Sequence, residues 1–466
     1  MYKYLLCWRY LRTRYIALAS IISVLLGVAT MIVVNSVMAG FAEKMRARLH
    51  GVLADVIVES FSLDGFQDSD VVMARIQQAA GDEIEAMAPT MELYGLMSII
   101  TPSQTINRQV QIIGIKTEER SKTGDFAEFV LDENGKRIKP TFEVSESFRS
   151  RSPAGELLQS MDPDDEFFEA MKKRTEEEVP RHGAIVGYAL ATHHQPGAER
   201  DIFLAPMGSK VVITFPSAGR TITARQGAFA VTGFFQSGMS EYDSMHVYVP
   251  IEYLQQLRGL EDGKGGGAVN QIQIKAKAGV DINTLSEKVR KAIDPMRPMF
   301  FVVRTWEQKQ GPLLAAVAIE QSILNILLFF IIAVAGFGIL AIFFMIVVEK
   351  TRDIGILKAL GASTVGIRGI FLGYGLSLGL VGAGVGMAIG LLFVHYINDV
   401  EQWLSSLTGH KVFDDSIYYF KEIPTLVEPF TVAWIVGGAL LIAVAASVWP
   451  AQRAARLHPV QALRND

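Results

Sequence analysis

Four long apolar stretches divide the chain, and each is long enough to cross a lipid bilayer. Ile16–Met38 is an uncharged run of 23 residues, which at about 1.5 Å per residue exceeds the roughly 30 Å hydrocarbon core. Ile323–Val348, Gly369–Ile397 and Phe430–Trp449 are further apolar runs bounded by charge or proline. A cleaved signal peptide would carry a shorter apolar region. The pattern therefore predicts four transmembrane helices.

Basic residues in the short connections predict which side of the membrane each connection faces. The segments before the first run and after the last are basic, as is the connection between the second and third runs. The connection 398–429 is acidic. Both termini are therefore expected in the cytoplasm, and the long segment 39–320 is expected outside.

These patterns predict an α-helical integral membrane protein with a large mixed α+β extracytoplasmic domain between helices 1 and 2. A positively charged flank is the alternative to a helix at the N-terminus. The predicted segments are an interfacial helix (1–15), a first transmembrane helix (16–38), the α+β domain with stalks (39–320) containing an acidic insertion (116–180), a second transmembrane helix (323–348), a cytoplasmic loop (349–368), a third transmembrane helix (369–397), an extracytoplasmic loop (398–429), a fourth transmembrane helix (430–449) and a cytoplasmic tail (450–466).

The α+β assignment depends on two cycles of strand and helix patterns. The first cycle contains the strand patterns ADVIVES, LYGLMSII and RQVQIIGI, with a helical pattern after ADVIVES. The second contains SKVVITFP, MHVYVP and QIQIKAK, followed by the helix INTLSEKVRKAI. Two cycles predict two subdomains. The helical stretches Phe41–Leu53 and Trp306–Glu320 predict stalks that join the domain to the first and second transmembrane helices.

Glycines recur at four-residue intervals in the third apolar run, at Gly382, Gly386 and Gly390. Small residues at this spacing let another helix approach the backbone closely. The spacing predicts either a packed helix bundle or a dimer.

Composition narrows the function classes. Half of the 466 residues are hydrophobic, and a net charge of -4 provides no cationic excess for nucleic-acid phosphates. The single cysteine, Cys7, excludes an intramolecular disulfide. Cys7 precedes the first apolar run, whereas the acceptor cysteine of a lipoprotein follows one.

Motifs for catalysis and metal binding are absent or misplaced. The chain has no G-x-x-x-x-G-K-[ST] phosphate loop. The pattern G-x-S-x-G at Gly375–Gly379 lies inside an apolar run rather than at a strand-to-helix turn. His193 and His194 are adjacent, so their side chains point apart. We therefore predict a non-catalytic chain without a metal site.

Two stretches resemble signatures of the FtsX-like, or MacB-type, ABC transporter permeases. The sequence EKTRDIGILKALGAS, Glu349–Ser363, is similar to the family's cytoplasmic signature, and Trp449–Asp466 is similar to its C-terminal ending. The resemblance implies a MacB-like periplasmic core domain between the first two of four transmembrane helices, in agreement with the apolar pattern.

Other stretches resemble the lipoprotein-releasing LolC/LolE branch. They are Ser36–Phe41, in which Ala39 stands where asparagine is usual, and Phe229–Asp243, together with Thr305-Trp306 and Gln310-Gly311. The insertion 116–180 departs from the branch pattern, so contacts made there by relatives cannot be transferred.

The resemblance implies a permease in the bacterial inner membrane that releases lipoproteins toward a periplasmic carrier. It implies a LolD- or MacB-like ATPase partner that binds ATP and Mg²⁺, no cofactor in this chain, and a second permease copy or paralogue. The alternatives are a mechanotransmitting exporter of peptides or drugs and a regulator of cell-wall hydrolases. A membrane sensor without an ATPase is a further alternative, which would predict a cytoplasmic signalling domain.

The resemblance also implies two sets of site residues. A short cytoplasmic helix over Asp353–Leu360 is expected to present Ile354, Ile356, Leu357 and Leu360 to a groove on the ATPase. The full predicted ATPase-coupling set is Glu349, Lys350, Arg352, Asp353, Ile354, Gly355, Ile356, Leu357, Lys358, Leu360 and Gly361. The predicted apolar lining of the substrate entry is Met38, Phe41, Met45, Phe329, Phe330 and Phe337.

Overall fold

The computed structural model describes residues 15–101, 104–144, 180–193, 201–219, 221–261, 267–295, 300–408 and 422–456. The chain forms two compact units. Unit 1 comprises Met1–Met45, Leu313–Phe413 and Lys421–Asp466, and unit 2 comprises Arg46–Pro312 and Asp414–Phe420. Residues 1–14 of the predicted interfacial helix and residues 145–179 of the predicted insertion lie outside the described residues.

The described residues form the following elements in chain order. The helices are α1 (Tyr15–Val52), α2 (Ser69–Ala80), α3 (Thr117–Arg120), α4 (Tyr188–Ala191), α5 (Ser240–Asp243), α6 (Ile251–Arg258), α7 (Ile282–Ile293), α8 (Trp306–Lys309), α9 (Gly311–Glu349), α10 (Thr351–Ala359), α11 (Thr364–His395), α12 (Ile397–Thr408) and α13 (Pro429–Arg456). The strands are β1 (Val56–Ser60), β2 (Ile84–Ile100), β3 (Thr105–Ile115), β4 (Val130–Leu131), β5 (Gly183–Gly187), β6 (Thr192–His193), β7 (Ile202–Phe203), β8 (Lys210–Pro216), β9 (Ala224–Phe235), β10 (His246–Pro250), β11 (Gln271–Ala276) and β12 (Phe301–Thr305).

Unit 1 contains the four apolar runs. Three of them lie wholly inside a long helix, whereas the third run, Gly369–Ile397, continues past the end of α11 at His395. The helices α1, α9, α11 and α13 are long and apolar enough to cross a membrane, which agrees with the predicted four-span architecture. Helix α1 continues beyond its apolar run to Val52, and α9 begins at Gly311, so the first predicted stalk and residues 311–320 of the second are continuous with apolar helices. The division of these helices into membrane and stalk segments stays a prediction.

The glycine stripe of α11 packs against α1. A methyl group added at Gly386 would lie 2.7 Å from the carbonyl oxygen of Leu25, and one added at Gly390 would lie 3.1 Å from Cα of Ala29. Another face of α11 approaches α13, where a methyl group at Gly379 would lie 2.8 Å from Cβ of Ala443. The stripe is therefore used for close packing within this chain, as the bundle alternative expects.

Unit 2 is built on a sheet whose strand order is β12-β1-β11-β2-β3-β10-β5-β9-β4, with β8 paired to both β2 and β9. The pairings β2-β3-β10-β5-β9-β8-β2 therefore close into a ring of six strands. Closure satisfies the backbone groups that an edge strand would leave unpaired. The long strand β2 belongs to this ring and also extends toward β11, so it joins the ring to a four-stranded antiparallel region.

The prediction of one subdomain for each cycle along the chain is wrong. Strand β11, assigned to the second cycle, pairs with β1 and β2 of the first, with Ile274 opposite both Val56 and Met87. Helix α7 packs against α2. The region next to the stalks is thus assembled from both ends of the unit, because local patterns indicate strands but not their partners.

Other elements were not predicted from the sequence. The short strand β12 pairs with β1, with Val303 opposite Val58, and α6 follows directly after β10. The stalk predicted over Trp306–Glu320 is interrupted at Gln310, between α8 and α9. A capping box between Thr305 and Gln308 begins α8.

Candidate functional site

The short helix α10 lies between α9 and α11, where the coupling helix was predicted. It ends in a Schellman motif, in which the Gly361 N–H donates to Lys358 O at 3.0 Å and the Ala362 N–H donates to Leu357 O at 2.9 Å. Gly361 has φ +94°, a conformation that side chains disfavour. Ser363 then caps α11 by accepting a hydrogen bond from the Gly366 N–H. The turn between α10 and α11 is therefore defined by local chemistry.

The predicted apolar residues of α10 face in different directions. Ile354 is only 3% exposed and belongs to the apolar core of unit 1, and Gly355 is also buried. Ile356 is 44% exposed and Leu360 is 80% exposed. The expectation that Ile354 is presented to a partner is wrong in this structure, because this side chain holds α10 against its own bundle.

Leu357 is half-buried and lines a small apolar cavity beneath α10, together with Ile346, Ile354, Ile367 and Tyr374. Its position makes Leu357 a packing residue as much as a surface residue. The outward apolar residues of α10 are therefore Ile356 and Leu360.

The charged residues of the coupling set are also divided between internal contacts and the surface. Lys350 lies 2.8 Å from Asp353, one turn along the helix. Lys358 donates a hydrogen bond from Nζ to the carbonyl oxygen of Ala455 in α13. Arg352 is exposed. Glu349 is the last residue of α9, two positions before α10 begins.

A second candidate site is an open cleft of about 350 Å³ in unit 1, lined by α1, α9, the start of α13 and the residues just before it. Its apolar lining includes Met31, Ile32, Phe329, Trp434 and Ile435. This volume lies in the range of ligand sites, which are also lined mainly by apolar and aromatic residues. The cleft lies toward the ends of α1 and α9 that lead into unit 2.

Polar side chains share this cleft, and the sequence prediction missed them. Asn35, Gln321, Asn325 and Glu428 all line it. Asn35 is nearly buried and donates from Nδ2 to the carbonyl oxygen of Met31 at 3.0 Å. The available signal was an amide side chain within an otherwise apolar run, which is costly in a membrane without a polar partner.

Among the six predicted entry residues, only Phe329 lines the described cleft. Met38, Phe41 and Met45 are half-buried elsewhere on α1. Phe330 and Phe337 are strongly exposed on α9. The structure therefore brings one of the six predicted side chains to the cleft.

The stretch Ser36–Phe41 has a structural role beside the cleft. The Leu426 N–H donates to the carbonyl oxygen of Ser36 at 2.8 Å. A methyl group added at Gly40 would lie 2.5 Å from the carbonyl oxygen of Pro424. Gly40 therefore allows the segment before α13 to lie directly on α1.

Two family models match the chain. The model described as FtsX-like permease C-terminal matches residues 325–459, and the model described as MacB-like periplasmic core domain matches residues 17–292, more than half of the chain. The chain belongs to the MacB-type family of FtsX-like permeases. Within the residues that the structure describes, no cluster of His, Cys, Asp or Glu is suited to hold a metal ion.

The permease is similar over almost its whole length to proteins of the LolC type. It is 25% identical to the lipoprotein-releasing system transmembrane protein LolC of Neisseria meningitidis serogroup B, covering 98% of each chain. It is 24% identical to LolC of Xylella fastidiosa strain 9a5c, covering 98% of this chain and 97% of that one. It is 29% identical to LolE of Haemophilus influenzae over 36% of this chain and 40% of that one.

The chain is therefore an ABC transporter permease that is similar to LolC proteins over almost its full length, from a family of subunits that are generally non-catalytic. The periplasmic region of MacB from Actinobacillus actinomycetemcomitans is matched with a TM-score of only 0.28 at 11% identity, over 58% of this chain and 97% of that one. The family models establish the family without this structural likeness.

Proposed function

We propose that the permease releases lipoproteins from the bacterial inner membrane toward a periplasmic carrier, driven by ATP hydrolysis in a separate partner subunit. The observation that carries this proposal is the cleft, whose apolar and amide side chains match the two parts of a lipoprotein anchor. The similarity of the whole permease to LolC proteins supports the same substrate class.

The apolar lining suits acyl chains, and the amides suit the polar head of the anchor. Trp434 and Phe329 offer large apolar surfaces that would keep an acyl chain leaving the bilayer out of water, where each exposed CH₂ group costs about 0.8 kcal/mol. Asn325 and Gln321 carry amide donors for the ester and amide carbonyls that join acyl chains to the lipoprotein. A cleft with both features favours an acylated polypeptide over an acyl chain alone.

The outward residues of α10 supply the proposed contact with the ATPase. Ile356 and Leu360 are exposed, and burial of each in a partner groove would contribute roughly 1.5–3 kcal/mol. Arg352 lies at the same exposed surface. In this proposal both termini and α10 are cytoplasmic, unit 2 is periplasmic, and a second permease copy or paralogue completes the transporter.

Depletion of the permease, followed by membrane fractionation, tests the proposed function. Mass spectrometry should find many lipoproteins shifted from the outer to the inner membrane, with other outer-membrane proteins unchanged. Normal lipoprotein sorting in depleted cells would refute the proposal and favour peptide or drug export, or control of cell-wall hydrolases.

Photocrosslinking tests the cleft itself. A crosslinking amino acid at position 329 should capture lipoprotein, because Phe329 lines the cleft. The matched control is position 337, since Phe337 lies on the same helix and is exposed away from the described cleft lining. Capture at 337 but not at 329 would place the substrate path on another face of α9.

A further inference from the structure

The loop between β9 and β10 makes two contacts with the stalks. One is near the point where the chain enters unit 2, and the other is near the point where the chain leaves it. Arg48, near the end of α1, donates a hydrogen bond from Nη1 to the carbonyl oxygen of Gly238. Gln310, one residue before α9, donates from Nε2 to the hydroxyl oxygen of Tyr242 at 2.7 Å. We name residues 237–243 the stalk loop, because it holds the ends of both stalk helices.

A buried carboxylate gives the stalk loop its shape. Asp243 is fully buried, and its Oδ1 accepts hydrogen bonds of 2.8 Å from both the backbone N–H and the hydroxyl of Ser237. Its Oδ2 accepts a hydrogen bond of 3.1 Å from the Gly238 N–H. Burial raises the pKa of Asp243 to about 6, although these hydrogen bonds and the charge of Arg48 act against that increase. The two ends of the loop are therefore tied to each other.

The Arg48 contact fits the backbone closely. Gly238 has φ +77°, and a methyl group added there would lie 2.7 Å from Cζ of Arg48. The guanidinium therefore lies directly against the glycine, where any side chain would displace it. Glycine is required at this position both for its backbone conformation and for the contact.

The position of the Tyr242 side chain is determined by α5 and by the ring of His246. Tyr242 lies in the single turn of α5, and its ring packs edge-on against His246 at 4.7 Å between centroids. Only three residues lie between Gly238 and Tyr242, so the two contacts belong to one short stretch of chain. Separation of the stalk ends must therefore either move the loop or break one of its two contacts.

Further contacts hold the stalk ends in unit 2. Lys309 of α8 lies 2.8 Å from Glu59 in β1 and 3.7 Å from Glu92 in β2. Burial alone would lower the pKa of Lys309, but the two carboxylates raise it. The rings of His50 and Trp306, from the two stalks, lie 5.3 Å apart. Glu92 also lies in a ring strand, but the stalk loop is itself the segment of chain that joins two ring strands, β9 and β10.

We propose that the stalk loop converts movement of α1 and α9 into movement of the strand ring, with Tyr242 and Gln310 as positioning residues. The proposal rests on the proposed function, in which a partner subunit hydrolyses ATP, and adds that this hydrolysis moves α1 and α9. Because β9 and β10 both pair with β5, and also pair with β8 and β3 respectively, a displaced loop pulls on the ring at the two strands that flank β5.

The test uses Tyr242→Phe, which removes the hydroxyl that accepts from Gln310 and keeps the ring. Gln310→Met removes the donor from the other side. The matched control is Tyr253→Phe in the same unit. The ring of Tyr253 stacks on His182, and its hydroxyl has no hydrogen bond to the described residues.

The readout is an ATP-dependent distance change in the full chain with its ATPase. Cys7 is replaced by serine, and spin labels are placed at exposed positions 43 on α1 and 139 in unit 2. Tyr242→Phe and Gln310→Met should each reduce the distance change at least two-fold, while basal ATP hydrolysis stays at the wild-type rate and the unfolding temperature falls by no more than about 4 °C, as expected for one lost hydrogen bond. Tyr253→Phe should behave as wild type.

The outcomes separate this proposal from the proposed function. An unchanged distance response in Tyr242→Phe overturns the stalk-loop proposal, as does a lost response that comes with an unfolding temperature lowered by more than about 4 °C. A wild-type complex without any ATP-dependent distance change also overturns it. The measurement needs no lipoprotein, so a complex that shows the predicted label response but sorts lipoproteins normally would refute the proposed function alone.

Discussion

Lys358 in α10 donates a hydrogen bond of 2.6 Å from Nζ to the carbonyl oxygen of Ala455, in the last turn of α13. Carbonyl groups in a final helical turn lack partners within their own helix, and a cation there also complements the helix dipole. The lysine therefore ties the predicted coupling helix to the end of α13. Since α13 packs along α11, this hydrogen bond joins α10 to a packed pair of long helices.

Replacement of Lys358 by methionine should weaken this tie. The free energy of unfolding should fall by about 1 kcal/mol, the typical net contribution of one hydrogen bond, and ATP-driven lipoprotein release should fall with it. Thermal unfolding of the purified permease and a release assay provide the measurements. Lys44→Met, at an exposed position, is the control. Equal behaviour of both variants would show that the Lys358 contact transmits nothing.

The outward face of α10 should be needed for the ATPase and not for folding. Ile356→Asp adds a charge at an exposed position, so the permease should fold normally and fail to stimulate its ATPase. Ile354→Asp adds a charge in the core of unit 1 and should prevent stable folding, because an unpaired buried charge is costly. Copurification and ATPase assays distinguish the two. Full stimulation by Ile356→Asp would remove α10 as the coupling surface.

The glycine stripe should be intolerant of a methyl group only on the packed face of α11. Gly386→Ala places a methyl group 2.7 Å from the backbone oxygen of Leu25, and overpacking of this kind typically costs about 1–3 kcal/mol. Gly384→Ala is the matched control, because nothing described lies within 4 Å of its added methyl group. Thermal unfolding in detergent should separate the variants. Equal unfolding temperatures would contradict the packing of α1 on α11.

His246 should make unit 2 less stable in acid. Burial, together with the smaller effects of the charges of Arg120 and Lys309, lowers the pKa of His246 from 6.5 to about 3. The unfolded chain therefore binds a proton below pH 6.5 that the folded chain does not, so stability falls as the pH decreases from 6.5 toward 3. His246→Gln should show a smaller loss over this window, measured by limited proteolysis of the full chain.

The variant must be compared with wild type because the contribution of a second group, Asp243, to stability changes with pH in the opposite direction. Asp243 has a pKa raised to about 6 from an ordinary 3.8, so its contribution is present below pH 3.8 and is lost as the pH rises through 6. It is common to both proteins and cancels in the difference. A variant with the same acid sensitivity as wild type would contradict the assignment to His246.

Most of unit 1 could be predicted from the sequence, because apolar runs and glycine spacing are local patterns. Long apolar runs define α1, α9, α11 and α13, and the spacing of Gly382, Gly386 and Gly390 anticipated close packing. The same runs concealed the cleft, since Asn35 and Asn325 interrupt apolar sequence without changing its average. The helical spacing in α10 also failed to separate Ile354 from Ile356, because only the packed bundle determines which side of α10 is buried.

In unit 2 most strands could be predicted from local patterns, but their order in the sheet could not. The pairing of β11 between β1 and β2 joins residues about 200 positions apart, such as Val56 and Ile274, and no pattern within either strand specifies it. The stretch Phe229–Asp243 was recognised only by resemblance. In the folded unit, Gly238 contacts Arg48, Tyr242 contacts Gln310, and Asp243 holds the loop between them. These contacts could not be inferred from the sequence pattern alone.

The most direct test of the central claim is ATP-dependent release by a purified system. The permease and its copurified ATPase would be reconstituted in liposomes with an acylated lipoprotein, and the soluble fraction would be assayed in the presence of a periplasmic carrier. The account predicts that lipoprotein appears with the carrier only when ATP is hydrolysed, and that a non-acylated form of the same protein is not handled. Equal release with and without ATP, or no release while ATP is hydrolysed, would contradict it.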